Sequence, residues 1–237
     1  MIHTMSLASD KSINFSVPPF SPFNGFDEQP KCKGVGVLAI EKVIINLEED
    51  FTLALLPYAR ILNSLKTGQL DLAILFKNNT VAENIEYIGP LSMAKVLVIT
   101  QSGTTVKHYK DLYQLDSIGV IRSAQFNNRF DQDELLKKVN VNSYSQAVKL
   151  LKLKRINAVI GSKIGLEYAL YHENMSNELI ADAFYLGDKE LGLHLSKKSA
   201  LISNLPLIKN AVKSAYQANL TEQLYRQQMN ECYSKIY

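Results

Sequence analysis

The sequence has no tryptophan, two cysteines and four histidines among 237 residues. The histidines (His3, His108, His172, His194) are scattered and Cys32 lies almost the whole chain from Cys232, so nothing offers the spacing of a zinc site. No metal and no cofactor is expected. Apolar runs near the roughly 20 residues of a membrane helix are also missing, and residues 1–11 lack the apolar core of a signal peptide. Charge of one sign is not gathered anywhere. The 26 basic and 23 acidic side chains leave a formal net charge of +3 with no basic stripe, which argues against a nucleic-acid partner. No G-x-S-x-G elbow occurs and neither cysteine sits in a nucleophile motif, so no catalytic residue stands out. The two cysteines leave two readings open: independent thiols, or a disulfide joining the ends of the chain, which an exported protein would permit.

What is present is an ordinary globular balance, 46% apolar and 21% charged, in a chain long enough for one large core or two compact domains. Residues 13–17 read as a short strand, followed by an irregular loop forced by Pro18, Pro19, Pro22, Asn24 and Gly25. Val37, Ile40, Val43, Ile44 and Leu47 recur at helical spacing. A strand at 51–56 ends at Pro57; Ile61, Leu62 and Leu65 mark a second helix closed by Gly68; Asp71 opens a strand at 72–76. Strand, helix, strand, helix, strand is the signature of a parallel sheet, so the class is α/β.

After a further strand at 95–100 the pattern restarts. It reads as a strand at 117–121, an amphipathic helix at 126–139, and a helix from Ser143 with a capping box completed by Gln146 and a core face of Ala147, Leu150 and Leu151. A strand at 157–161, a helix at 164–172, an extended return at 190–196 and a helical tail at 205–233, with Ile208, Val212, Ala215 and Tyr216 on one face, complete the chain. Two α/β units suggest two lobes with a cleft between them, where ligands tend to bind.

Two tempting motifs are set aside. Gly34-Val-Gly36-Val-Leu-Ala39 matches a dinucleotide fingerprint, but Pro30, Lys31, Cys32 and Lys33 precede it instead of a strand, and Glu48, Glu49 and Asp50 lie before the next strand rather than at its end. A glycine-rich helix start packed on the sheet is expected there. Asp131 and Asp133 read as the solvated face of the 126–139 helix.

Several segments, in order, resemble bacterial family 3 extracellular solute-binding proteins, the binding subunits of polar amino-acid ABC importers. In the first lobe they are Val17-Pro-Pro-Phe20, Tyr58-Ala-Arg60, Leu65-Lys-Thr-Gly68-Gln-Leu-Asp71 and Gly89-Pro90-Leu91. In the second they are Ile118-Gly-Val-Ile-Arg122-Ser123 and Leu150-Leu-Lys-Leu-Lys-Arg155-Ile-Asn157-Ala-Val-Ile, with Leu193-His-Leu-Ser-Lys-Lys-Ser199 as the return. The resemblance implies a type II periplasmic-binding-protein fold: two doubly wound lobes, residues 10–96 plus 192–237 and residues 97–191, joined by two crossover strands near 96–100 and 185–193. It also implies hinge closure around a ligand, a periplasmic location with the signal absent from this sequence, a monomer, and a membrane permease as partner. The C-terminal helices should then bring Cys232 back toward Cys32.

Departures from the pattern bear on the ligand. Where the family usually has T-x-x-R to clamp a carboxylate, this chain has Thr80-Val-Ala-Glu83; where an Asp usually holds the ligand ammonium stands Ser162; and Val17 replaces an aromatic. A standard amino acid is therefore not the expected ligand. Arg60 with Tyr58 at one helix start, and Arg122 with Ser123 at a strand-to-helix turn, occupy places that favour anions. Phe20, Phe76 and Asn78 are further candidates for the cleft wall. Each also has an ordinary reading, as a surface charge or a core ring. The expected function is capture of a small polar, anionic molecule without catalysis. The alternatives are a sensor domain of a receptor kinase or cyclase and, less favoured, an enzyme on this scaffold using Glu83.

Overall fold

The computed structural model describes residues 12–26, 32–45, 50–78 and 83–233. Leu47, Glu48, Glu49, Pro30, Lys31 and the first three residues of Thr80-Val-Ala-Glu83 lie outside them.

The first half runs β1 (Ile13–Ser16), α1 (Val35–Ile44), β2 (Phe51–Leu53), α2 (Tyr58–Thr67) and β3 (Leu72–Phe76). β1 pairs in parallel with both β2 and β3, as alternating strands and helices require. Next comes β4 (Ile85–Thr100), long enough to traverse the molecule. β5 (Ile118–Ile121), α3 (Asn128–Gln132), β6 (Lys138–Val141), α4 (Tyr144–Lys152), β7 (Ala158–Ser162), α5 (Lys163–His172) and α6 (Glu178–Ala181) form the second half. β8 (Phe184–Ser196) then returns, and α7 (Leu205–Ala215) and α8 (Leu220–Tyr233) close the chain. All eight strands form one continuous sheet in the order β2-β1-β3-β8-β4-β7-β5-β6. The antiparallel pair β4 and β8 lies between three strands of the first half and three of the second. Their pairing shifts register at Tyr87/Gly89, Pro90/Ser92 and Val96/Leu97.

The return of the chain is fixed by polar contacts as well as by the ladder. The Asp71 carboxylate accepts the Asn14 N–H at 2.9 Å and the Ser199 hydroxyl at 2.5 Å, binding the segment after β8 to the start of β3. Cys32 and Cys232 form a disulfide with Cα atoms 6.3 Å apart, so the return of the C-terminal helices toward Cys32 is observed and the pair is not two independent thiols.

Several elements depart from the sequence reading. The 126–139 segment is not one helix: α3 spans only Asn128–Gln132, and Lys138–Val141 is a strand paired with β5. Phe126 and Phe130 share helical spacing, but the Asp131 carboxylate takes the N–H groups of Phe126 and Asn127, holding the chain in a short capped turn. Asp131 is consequently half-buried, and the Asp133 carboxylate accepts the Tyr109 and Tyr113 hydroxyls at 2.9 and 2.8 Å, so neither is simply a solvated face. At α4 the Ser143 hydroxyl caps the Gln146 N–H, whereas the Gln146 side chain reaches the Asn142 N–H rather than that of Ser143. Its buried face is Tyr144, Ala147, Val148 and Leu151, with Leu150 only partly covered. α1 buries Val35, Ala39, Ile40 and Val43 and leaves Val37 and Ile44 half-covered. Tyr216 caps α7 and is exposed. The Gly34-Val-Gly36 stretch is the packed helix start expected: a Cβ on Gly34 would lie 2.1 Å from the Phe23 carbonyl oxygen.

His194 sits in β8 between Ala73 of β3 and Tyr87 of β4, fully buried, with its Nδ1 3.2 Å from the Gly192 carbonyl oxygen. Burial lowers its pKa from 6.5 to about 4. The unfolded chain therefore takes up this proton first as pH falls. His194 contributes stability that is intact above pH 6.5 and is lost as pH drops to 4, in total about 3 kcal/mol. Denaturant titrations from pH 7 to 4 should show this fall, and His194→Gln should flatten it. An unchanged slope in the variant would assign the acid sensitivity to carboxylates instead.

Candidate functional site

Three spaces lie near the residues singled out above. The first is a small apolar cavity of about 10 Å³, bordered by Pro18, Phe20, Tyr58, Phe76, Ile121 and Tyr144 among others. Its walls come from the loop after β1, the first residue of α2, the ends of β3 and β5, and the first residue of α4. Phe20 meets Tyr144 edge-on at 5.2 Å, and Phe76 meets Phe126 at 5.8 Å. The Tyr144 hydroxyl accepts the Ser162 N–H at 3.0 Å. Its ring lies so close to β7 and α5 that a Cβ on Gly161 or Gly165 would come within 2.3 Å of a ring carbon. Ser162 Oγ is buried beside this ring without a well-formed hydrogen bond of its own. Burial raises the pKa of Tyr58 and Tyr144, so both phenols stay neutral.

The second space is a cleft of about 420 Å³ lined by Leu62, Lys66 and Asn78 on one side and by residues between Val120 and Lys138 on the other. Ser123 stands in the turn after β5 with φ of 66°, a left-handed conformation uncommon for a residue other than glycine. Gln125 and the half-buried Asp131 follow it around the wall. Burial raises the Asp131 pKa, and the Phe126 and Asn127 N–H groups, with Lys189 and Lys138, oppose the rise. Lys138 bonds the Asp131 carbonyl oxygen at 2.9 Å and lies 5.1 Å from the Phe130 ring centre. The cleft thus carries two lysines against one carboxylate that is already engaged by backbone donors.

A third space of about 440 Å³ is lined by uncharged groups, among them Ser21, Asn24, Ser143 and Ser145.

The sequence candidates divide among these spaces. Asn78 and Ser123 line the charged cleft; Phe20, Tyr58 and Phe76 line the apolar cavity; Ser162 lies behind Tyr144. Arg60 and Arg122 are exposed and border none of the three. Glu83 is also exposed, its carbonyl oxygen accepting from Lys197 at 3.2 Å. Lys66, Gln125, Asp131, Lys138 and Tyr144 were not singled out as ligand contacts. The Asp131 to Lys138 spacing would have been informative only if the chain between them had been read as a turn and a strand.

No protein-family profile and no curated protein matches the sequence. Solved structures do. The arginine-, lysine-, histidine-binding protein ArtJ from Geobacillus stearothermophilus aligns with TM-score 0.69 at 16% identity, over 94% of this chain and 96% of that one. The substrate-binding protein of an amino acid ABC transporter aligns with TM-score 0.70 at 12% identity, over 94% and 100%. The chain has the type II periplasmic-binding-protein fold. A histidine kinase sensor domain with similarity to periplasmic binding proteins shares it, with TM-score 0.71 at 12% identity over 94% and 96%. Within this binding-protein fold β4 and β8 are the two crossover strands, longer than the segments expected at 96–100 and 185–193. Among the described residues no helix is long and apolar enough to cross a membrane, and no cluster of His, Cys, Asp or Glu could hold a metal ion.

Proposed function

We propose that this chain is a solute-binding protein that holds a small polar molecule between two lobes and carries out no chemistry on it. The observation that carries the reading is the cleft of about 420 Å³, whose walls come from both sides of the crossover strands, Lys66 and Asn78 from one and Ser123, Asp131 and Lys138 from the other. The lobes are proposed as residues 10–96 plus 192–237 and residues 97–191. They share one sheet through β4 and β8, so any hinge lies in these strands, at their register shifts. The arginine-, lysine-, histidine-binding protein that shares this fold suggests an amino-acid-like size. The local charge favours a ligand with an acidic group, met by Lys66 and Lys138. Arg60 and Arg122, outside the cleft, receive no contact in this reading.

A periplasmic location and delivery to the permease of an ABC importer are proposed with it, with the chain acting as a monomer. The disulfide supports export. The second reading, a ligand-sensing domain of a receptor, is favoured by the likeness to the histidine kinase sensor domain.

A thermal-shift screen of amino acids, organic acids, polyamines and small peptides tests the proposal. An acid-bearing compound should stabilise the fold by about 2.7 kcal/mol at a hundredfold excess over its Kd. In calorimetry, Lys66→Ala and Lys138→Ala should each weaken it about tenfold, equivalent to about 1.4 kcal/mol. Preferential binding of a cationic polyamine would overturn the acidic ligand, and unchanged affinity in both variants would move the site elsewhere.

A further inference from the structure

A second contact between the halves joins α5 to α8, and it is tied to the disulfide. α8 packs on α1 of the first half and on α5 of the second. At its end, the Tyr233 hydroxyl lies 3.2 Å from that of Tyr168, and the Tyr233 ring meets Tyr171 edge-on at 5.5 Å. Tyr168 and Tyr171 both belong to α5. Phe26, from the first-half loop, meets Tyr168 at 5.5 Å and stacks on Tyr225 of α8 at 6.4 Å. Lys163 of α5 pairs with Glu222 of α8 at 3.4 Å. Every member of this seam is therefore borne by α5, by α8 or by the loop before α1.

Cys232 immediately precedes Tyr233, and its partner Cys32 lies beside Lys33, which forms a β-bridge with Gly25 next to Phe26. The disulfide therefore fixes the two first-half pieces of the seam, the end of α8 and the Phe26 loop, to one another. With both held, α5 docks on a preformed surface. The aromatic contacts of Phe20 with Tyr144 and of Phe76 with Phe126 close the centre in the same sense.

We propose that the Cys32–Cys232 bond is a latch: oxidised, it holds the aromatic seam and keeps the lobes together even without ligand; reduced, it frees α8 and lets them part. The reductant is a dithiol. Its thiolate attacks one sulfur, the other leaves as a thiolate and takes up a proton, and the dithiol's second thiol then displaces the mixed disulfide, so that two electrons and two protons pass to the cysteines and the dithiol becomes the disulfide. The inference rests on the two-lobed reading proposed above but needs no ligand. A chain that binds no screened compound yet behaves as follows would contradict the binding function and leave the latch in place.

The test is small-angle scattering and amide hydrogen exchange on the full chain without ligand, oxidised and after dithiothreitol. The oxidised chain should scatter with the dimensions of the structure above. Reduction should enlarge the radius of gyration and speed exchange in residues 163–172 and 220–233 at least tenfold, with far-ultraviolet circular dichroism retained. Tyr168→Phe/Tyr171→Ala, which keeps the disulfide, should reproduce the opening, and it decides the matter if the reduced chain unfolds altogether. An oxidised chain already open, or a seam variant that scatters and exchanges like the oxidised parent, would overturn the latch.

Discussion

Replacing both cysteines, Cys32→Ser/Cys232→Ser, is expected to lower the unfolding free energy by about 5 kcal/mol, because the bond closes a loop spanning a sequence separation of 200 residues. The chain-entropy account makes the cost grow with the logarithm of loop length, so a bridge between the two ends of a domain lies near its upper limit. A globular chain has about 5–15 kcal/mol in total, so this single bond decides a large share of it. Urea denaturation of the oxidised parent and the double variant at pH 7 measures the difference. A change under about 1 kcal/mol would mean that the unfolded ensemble already keeps its ends together.

The second large effect is expected at Tyr144. Truncation to alanine removes a fully buried ring packed on Gly161, Gly165 and Phe20, and cores of this kind lose about 3–5 kcal/mol. Tyr144→Phe keeps the ring and removes only the acceptor of the Ser162 N–H, for about 1–3 kcal/mol. The separation between the two variants, measured in one denaturant series, distinguishes packing from hydrogen bonding. Gly165→Ala should also destabilise, against the helix propensity of alanine, because its Cβ would meet the Tyr144 ring at 2.3 Å. Equal stability of Tyr144→Ala and the parent would show that the ring does not fill the centre of the molecule.

These residues show what could be read in advance. β1, β3 and the intervening helices followed from apolar periodicity and from Pro57 and Gly68, since local signals and tertiary packing agree there, whereas the strand expected at 51–56 forms only over Phe51–Leu53. The lengths of β4 and β8 did not follow. Gly89 and Pro90 are poor strand residues, and pairing with a distant strand holds them extended. The 126–139 helix failed because Asp131 and Asn127 spend their side chains on nearby N–H groups, a local alternative that helical periodicity cannot reveal.

The candidate site was legible only in part, and for the same reason. Asn78 and Ser123 follow strand ends that face the cleft, so strand assignment sufficed for them. Lys138 reaches it only because Lys138–Val141 is an edge strand rather than the end of a helix. Arg60 and Arg122 were chosen because helix starts attract anions; in the structure both side chains are exposed, and their own N–H groups bond the Pro57 and Val141 carbonyl oxygens. The Ser162 position followed from alignment to the family pattern. That Tyr144 from a neighbouring helix covers its backbone N–H could not be seen in one dimension.

The central claim is that a small molecule is held between the two halves in the charged cleft. Hydrogen exchange with and without a saturating amount of a compound from the thermal screen measures it most directly. Added protection should fall on residues 62–78 and, in the same complex, on residues 120–138, the two walls of that cleft. Protection confined to one wall, or to residues 19–26 and 143–145 around the neighbouring uncharged space, would contradict it.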